Sequence, residues 1–240
     1  MIDKTKKTSQ PVVYKVVSSG KEYVVYRDDK PLKTPAGNIY ALPSADLGQA
    51  VADEWRAAPD PAKTLKTAMM PLTQLAATAI DIVAKDRART VRQIVAHAES
   101  ELLCHRADLP VSLANRQKDV WQPYLDWCAE RFGARLAVSN SVMPIRQPPE
   151  ALMALHKTVE GYDNFILTGL SVAVDAMGSL VLGLALAEAV WDKEAVFQAA
   201  ELDANHQKKE WGDDPVIQAR HKSIRQDLEV CERWFRLLLK

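Results

Sequence analysis

The sequence is poor in the residues that usually carry chemistry. Its three cysteines, Cys104, Cys128 and Cys231, lie far apart with no CxxC pair. That excludes a disulfide framework and a multi-thiolate metal site, and leaves reduced thiols expected as small buried side chains. Its nine glycines form no phosphate-cradling loop, and neither a GxSxG elbow nor an HExxH pair occurs. The five histidines, His97, His105, His156, His206 and His221, have no ligand spacing. Cys104-His105 are neighbours, but adjacent helical residues point to different faces, so the pair closes no zinc site, and adjacency alone does not support a nucleophile-base dyad. Charge of one sign is absent too. Thirty-one basic residues balance thirty-one acidic ones, so composition gives no field to hold nucleic acid or an anionic membrane. The expectation is a chain without cofactor, metal or catalytic residue.

What is present is a long apolar stretch, Tyr162 to Trp191, with Asp175 as the only charge between Phe165 and Ala187. A transmembrane span needs about 20 apolar residues, but a central aspartate costs about 2.5–3.5 kcal/mol on insertion. The better reading is a buried helical hub of two consecutive helices, about Pro149–Asp175 and Ser179–Val190. Ser179 would cap the second and Gly178 would loosen the first. Asp175 is expected to play a local part near the N-terminus of the following helix.

The remaining elements read in order. Residues up to Gln10 carry no structural signal. Val12–Val17 and Glu22–Arg27 are β-branched and aromatic runs around Ser18-Ser19-Gly20-Lys21, a hairpin. Two edge-like strands follow, Leu32–Pro35 and Ile39–Leu42. Ser44 opens a helix with Leu47, Val51 and Trp55 along one side, and Pro59-Asp60-Pro61 marks the expected boundary. From Pro71 the pattern is helical. Ser112–Gly133 reads as a helix pair or one helix kinked at Pro123, and a last helix starts at Asp214-Pro215 with a stripe of Ile217, Ile224, Leu228, Cys231, Phe235 and Leu238. The fold class is α+β: a small β-rich N-terminal domain with one helix (1–58), then a larger, mostly α-helical domain (59–240).

A helix from about Asp192 to Trp211 would place Val196, Ala199, Ala200, Asp203, Gln207 and Trp211 on one side, with Glu201 pointing away. Asp203 and Gln207 are then polar groups on an otherwise apolar face, one turn apart and below Trp211. A carboxylate there needs hydrogen bonds or a cation. Either Asp203 satisfies an internal donor and pins the helix, or the face is partly open and offers an acid beside an aromatic to a partner.

Several stretches resemble the family of assembly chaperones for the catalytic head of F-type ATP synthase, the members that bind its alpha subunit. Leu32-Lys33-Thr34-Pro35, Leu42-Pro43 and Glu54-Trp55 match its N-terminal signature. Met70-Pro71-Leu72-Thr73, continuing through Ala79-Ile80-Asp81, matches its most distinctive run. Leu102–Ala107, Gly178–Leu186 and Gln207 through Trp211-Gly212 complete the set, with His105 where an aromatic is usual and Ala204 where relatives often carry an acid. The resemblance implies an ATP-independent chaperone that keeps the unassembled alpha subunit soluble until it pairs with beta, with no catalysis, nucleic acid, membrane insertion or small-molecule substrate. It implies partner-binding roles for Asp203, the counterpart of the family's important acid, and for Gln207 and Trp211. The alternative from a different class is a small-molecule enzyme or ligand-binding protein with an interdomain pocket using Asp203, Asp175 or Cys104. The N-terminal stretch has no apolar segment of the signal-peptide kind, which leads to an expectation of the bacterial cytoplasm, or of the mitochondrial matrix if a targeting segment was removed.

Overall fold

A computed structural model describes residues 12–58, 69–141, 145–211 and 215–239, with backbone only at 208–211. The residues up to Gln10, the Pro59-Asp60-Pro61 boundary and Asp214 as a cap therefore lie outside the described residues. Contacts divide the chain into two compact units, Met1–Ala77 and Thr78–Lys240.

In the first unit, β1 (Tyr14–Ser19) and β2 (Glu22–Arg27) pair antiparallel from Tyr14↔Arg27 to Ser19↔Glu22. Gly20 takes φ +64° in the turn, a conformation that a residue without Cβ adopts at little cost. Two short strands, β3 (Lys30–Pro31) and β4 (Ala41–Leu42), pair with opposite ends of β2. The expected strand at Leu32–Pro35 contributes only an isolated bridge, Lys33↔Ile39. Helix α1 (Ala45–Ala57) starts at Ser44, whose Oγ accepts from Leu47 N at 3.1 Å. It lays Leu47, Val51 and Trp55 on the sheet. Gly48 meets Val16 so closely that an added Cβ would sit 2.8 Å from Val16 Cγ1.

Helix α2 (Pro71–Thr78) joins this unit through Glu54. The Glu54 carboxylate accepts from Leu72 N at 3.0 Å, Thr73 N at 2.8 Å and Thr73 Oγ1 at 2.6 Å. It satisfies orphan donors of the first turn and sits at the positive end of the dipole. Two stretches eighteen residues apart are thereby one hydrogen-bonded device within the first unit.

The second unit opens with a π-helical turn, Ala79–Val83, then α3 (Arg87–Glu99), capped by Asp86. After a 3₁₀ turn, Leu102–Cys104, comes α4 (Val111–Phe132), one continuous helix that carries Pro123 inside and ends on Gly133 at φ +70°. The hub consists of α5 (Pro149–Gly161), α6 (Asn164–Met177) and α7 (Leu180–Ala187). The first expected hub helix is therefore two, because Asp163 accepts from Phe165 N and Ile166 N and starts a new helix. Gly178 at φ +68° and the Ser179 cap end α6 and begin α7 as the sequence suggested. Every residue of α7 is buried, and among the described residues no helix is long and apolar enough to cross a membrane.

Two short helices follow, α8 (Lys193–Ala200) and α9 (Leu202–Trp211), and then the long α10 (Pro215–Leu238). Helix α10 packs its stripe of Ile224, Leu228, Cys231 and Phe235 into the bundle, chiefly along α6. Trp234 Nε1 donates to Phe165 O at 2.9 Å, and the bare backbone of Gly169 receives the rings of Trp234 and Phe235.

Candidate functional site

The candidate residues sit at the junction of α8 and α9, and that junction differs from the expected continuous helix. Asp192 caps α8 through Ala195 N at 2.8 Å, and the chain breaks at Glu201, φ −100°, ψ +21°. No glycine or proline signals this break. Its cause is the Glu201 side chain, 2% exposed, which turns inward instead of pointing away. Glu201 Oε1 lies 3.0 Å from an Arg220 amine. Its Oε2 lies 3.0 Å from His221 Nε2, close enough for an ion pair but not aligned as a hydrogen bond. Both partners belong to α10, about twenty residues downstream, where a periodicity argument has no reach.

Beyond the break, Asp203 is half-buried in the first turn of α9. Its Oδ1 accepts from Gln117 Nε2 at 2.7 Å, while Gln117 Oε1 accepts from Ala107 N at 2.7 Å. One turn along α4, Trp121 Nε1 donates to Ala199 O at 2.8 Å. Positions 117 and 121 lie on one face of α4, and together they brace the end of α8 and the start of α9. Asp203 Oδ2 has no partner among the described residues. Gln207 follows one turn later and is exposed. Trp211 ends α9, and its side chain lies outside the described residues. The fold therefore keeps Asp203 and Gln207 one turn apart on a helix at the edge of the bundle. Among the described residues, Asp203 meets an internal donor through one oxygen only.

The other candidates separate from this place. The Asp175 side chain is 71% exposed and pairs with His97 Nε2 of α3 at 3.3 Å, so it serves a surface contact rather than the α7 dipole. Cys104 is buried, and desolvation together with the nearby Glu101 charge pushes its thiol up to about 12. At physiological pH it is a neutral thiol, the opposite of an activated nucleophile. His105 and its neighbours pair by backbone with Ser139. Among the described residues no three His, Cys, Asp or Glu side chains form a metal-holding group. An open depression of about 340 Å³ is lined by Arg131, Phe132, Thr158, Gly161, Tyr162 and Glu188. Its carboxylate is already held by Arg131 at 2.9 Å and the Tyr162 hydroxyl at 2.7 Å.

Sequence reasoning missed Glu101, which is fully buried. It accepts from Ser179 Oγ at 2.5 Å, Leu180 N at 2.9 Å, Val181 N at 3.2 Å and Leu103 N at 3.4 Å. Burial pushes its carboxyl up to about 7, against the opposing pull of those four donors. It fastens the segment before Cys104 to the N-terminus of α7. Glu101, Gln117 and Glu201 share one reason for being missed: each acts on a segment roughly ten to eighty residues away, and a single sequence does not reveal that proximity.

Comparison with known proteins places this architecture. Residues 10–129 match the model of the family described as ATP12 chaperone protein. The crystal structure of Atp12 from Paracoccus denitrificans, and that of a point mutant of the same protein, each share 31% identity with this chain. Each aligns at a TM-score of 0.88 over 94% of this chain and 95% of its own. The Atu1473 protein of Agrobacterium tumefaciens is 32% identical and aligns at 0.84 over 94% of this chain and 84% of its own. With half its length matched by the family model and nearly all of it aligned to those structures at such identity, the chain belongs to the ATP12 chaperone family.

Proposed function

We propose that this chaperone binds the unassembled alpha subunit of F-type ATP synthase in the bacterial cytoplasm and keeps it soluble until it pairs with beta. A subunit destined for a ring exposes apolar assembly surfaces when alone, and such surfaces aggregate. A holdase needs no turnover, only a complementary face that the proper partner displaces. Asp203, Gln207 and Trp211 form part of that face. The observation that carries the reading is Asp203, half-buried and anchored by Gln117 through one oxygen, with no partner for the other among the described residues.

Co-expression with the alpha subunit and size-exclusion chromatography test the proposal. The expected result is a co-eluting complex and suppressed aggregation of alpha. Separate elution together with unprotected alpha would reject it.

A further inference from the structure

Resting on that reading of Asp203, we propose that Gln117 is a positioning residue that presents Asp203 to a cationic side chain of the captured polypeptide. The exposed turn bearing Leu109 and Val111 supplies the apolar half of the same docking surface. Gln117 is 1% exposed, and both ends of its carboxamide are committed: the oxygen to Ala107 N, the nitrogen to Asp203 Oδ1. An amide bonded at both ends cannot rotate, so the carboxylate it holds is fixed in direction.

The donor is neutral, unlike the Arg220 guanidinium that meets Glu201 two residues earlier. Glu201 is met by Arg220 and His221, Glu194 by Arg225, and Glu188 by Arg131. Asp203 has no cation among the described residues. Among the described residues its charge is oriented but not neutralised, and the chemistry that would complete it is a lysine or arginine of the captured chain.

The same carboxamide ties down Ala107, which leads directly into the turn where Leu109 is 74% and Val111 62% exposed. One buried side chain thus ties both Asp203 and the chain that leads into the exposed Leu109 and Val111. The occupant that fits is a stretch of the alpha subunit that presents a basic residue beside an apolar one. The apolar side chain would cover Leu109 and Val111, and the basic one would pair with the open oxygen of Asp203.

The test measures the dissociation constant of the full chain for recombinant alpha subunit at low and high salt. Binding by the wild type is expected to weaken as salt rises. Asp203→Asn should bind at least tenfold more weakly at low salt and lose most of that salt dependence. Leu109→Ser with Val111→Ser, a surface change that leaves folding intact, should also weaken binding at least tenfold but keep the salt dependence. Gln117→Leu should match the loss of Asp203→Asn and add nothing in the Asp203→Asn background, whereas a merely structural role would give additive losses. Met153→Ser, an exposed position on α5, should bind as the wild type does.

Wild-type affinity in the Leu109/Val111 double variant overturns the apolar half. Additive losses, or a folded Gln117→Leu that binds normally, overturn the positioning role. Should Gln117→Leu not fold, the Asp203 and Leu109/Val111 arms decide. Failure of the wild type itself to bind alpha sinks the function and this inference together. Wild-type binding that all these variants retain sinks the inference alone.

Discussion

Asp203 and Glu101 are both acids held by donors, yet substitution should affect them in opposite ways. Asp203→Asn keeps an oxygen for Gln117 Nε2, so the melting temperature should stay nearly unchanged while capture of alpha weakens. Asp203→Leu strips that buried amide of its acceptor and should cost about 1–3 kcal/mol in urea unfolding. Equal stability of the two variants would mean that Gln117 finds another partner. Glu101 is a stability group with a pH signature. Its carboxyl is raised from 4.5 to about 7 by burial, so the folded state holds the proton more tightly than the unfolded chain. The stability it contributes is present below pH 4.5 and is lost as pH rises towards 7, on the order of 3 kcal/mol at about 1.4 kcal/mol per pH unit. Its charge also raises the Cys104 and Cys128 thiols, both buried nearby. Urea melts at pH 5 and pH 7.5 should show wild type losing more stability across that interval than Glu101→Gln. Parallel losses would remove Glu101 as the cause.

At the scale of elements, the sequence was legible where the signal is local and blind where it is distant. The β1–β2 hairpin, the Ser44 and Ser179 caps, the Gly178 stop and the α10 stripe all follow from neighbours within one or two turns. The break at Asp163 has a local signal, a capping acid just after Gly161, that the reading of one helix passed over; the break at Glu201 has none. The second depends on Arg220 and His221 from another helix. Asp203 was singled out on a face drawn along one continuous helix, which the break at Glu201 divides, and its Gln117 brace, 86 residues earlier, was not legible.

Two substitutions test how these elements are fastened. Gly169→Ala would place a Cβ 2.6 Å from Trp234 Cδ1 and 2.9 Å from Phe235 Cε1, and overpacking of this kind should cost about 1–3 kcal/mol. A variant as stable as wild type would show that α10 shifts freely on α6. Glu54→Ala leaves the first-turn donors of α2 without their acceptor. It should cost about 1–2 kcal/mol, the range for losing a helix cap, and hydrogen exchange should quicken at Leu72 and Thr73. Unchanged exchange there would remove Glu54 as the cap.

At the scale of the molecule, the chain joins a small β-sheet unit and a helical unit whose central helix, α7, is buried along its whole length. The candidate residues Asp203 and Gln207 lie on α9. The Cys104 thiol is buried and neutral, the Glu188 carboxylate in the open depression is already engaged, and Asp203 meets no cation among the described residues. The most direct measurement mixes purified alpha subunit with the full chain under conditions where alpha alone precipitates. Light scattering and the elution profile are then followed together. The account predicts that scattering stays flat, that a complex of the two polypeptides elutes, and that Asp203→Asn restores precipitation. Alpha that precipitates at the same rate with and without the chain, and never elutes with it, would contradict the account at its centre.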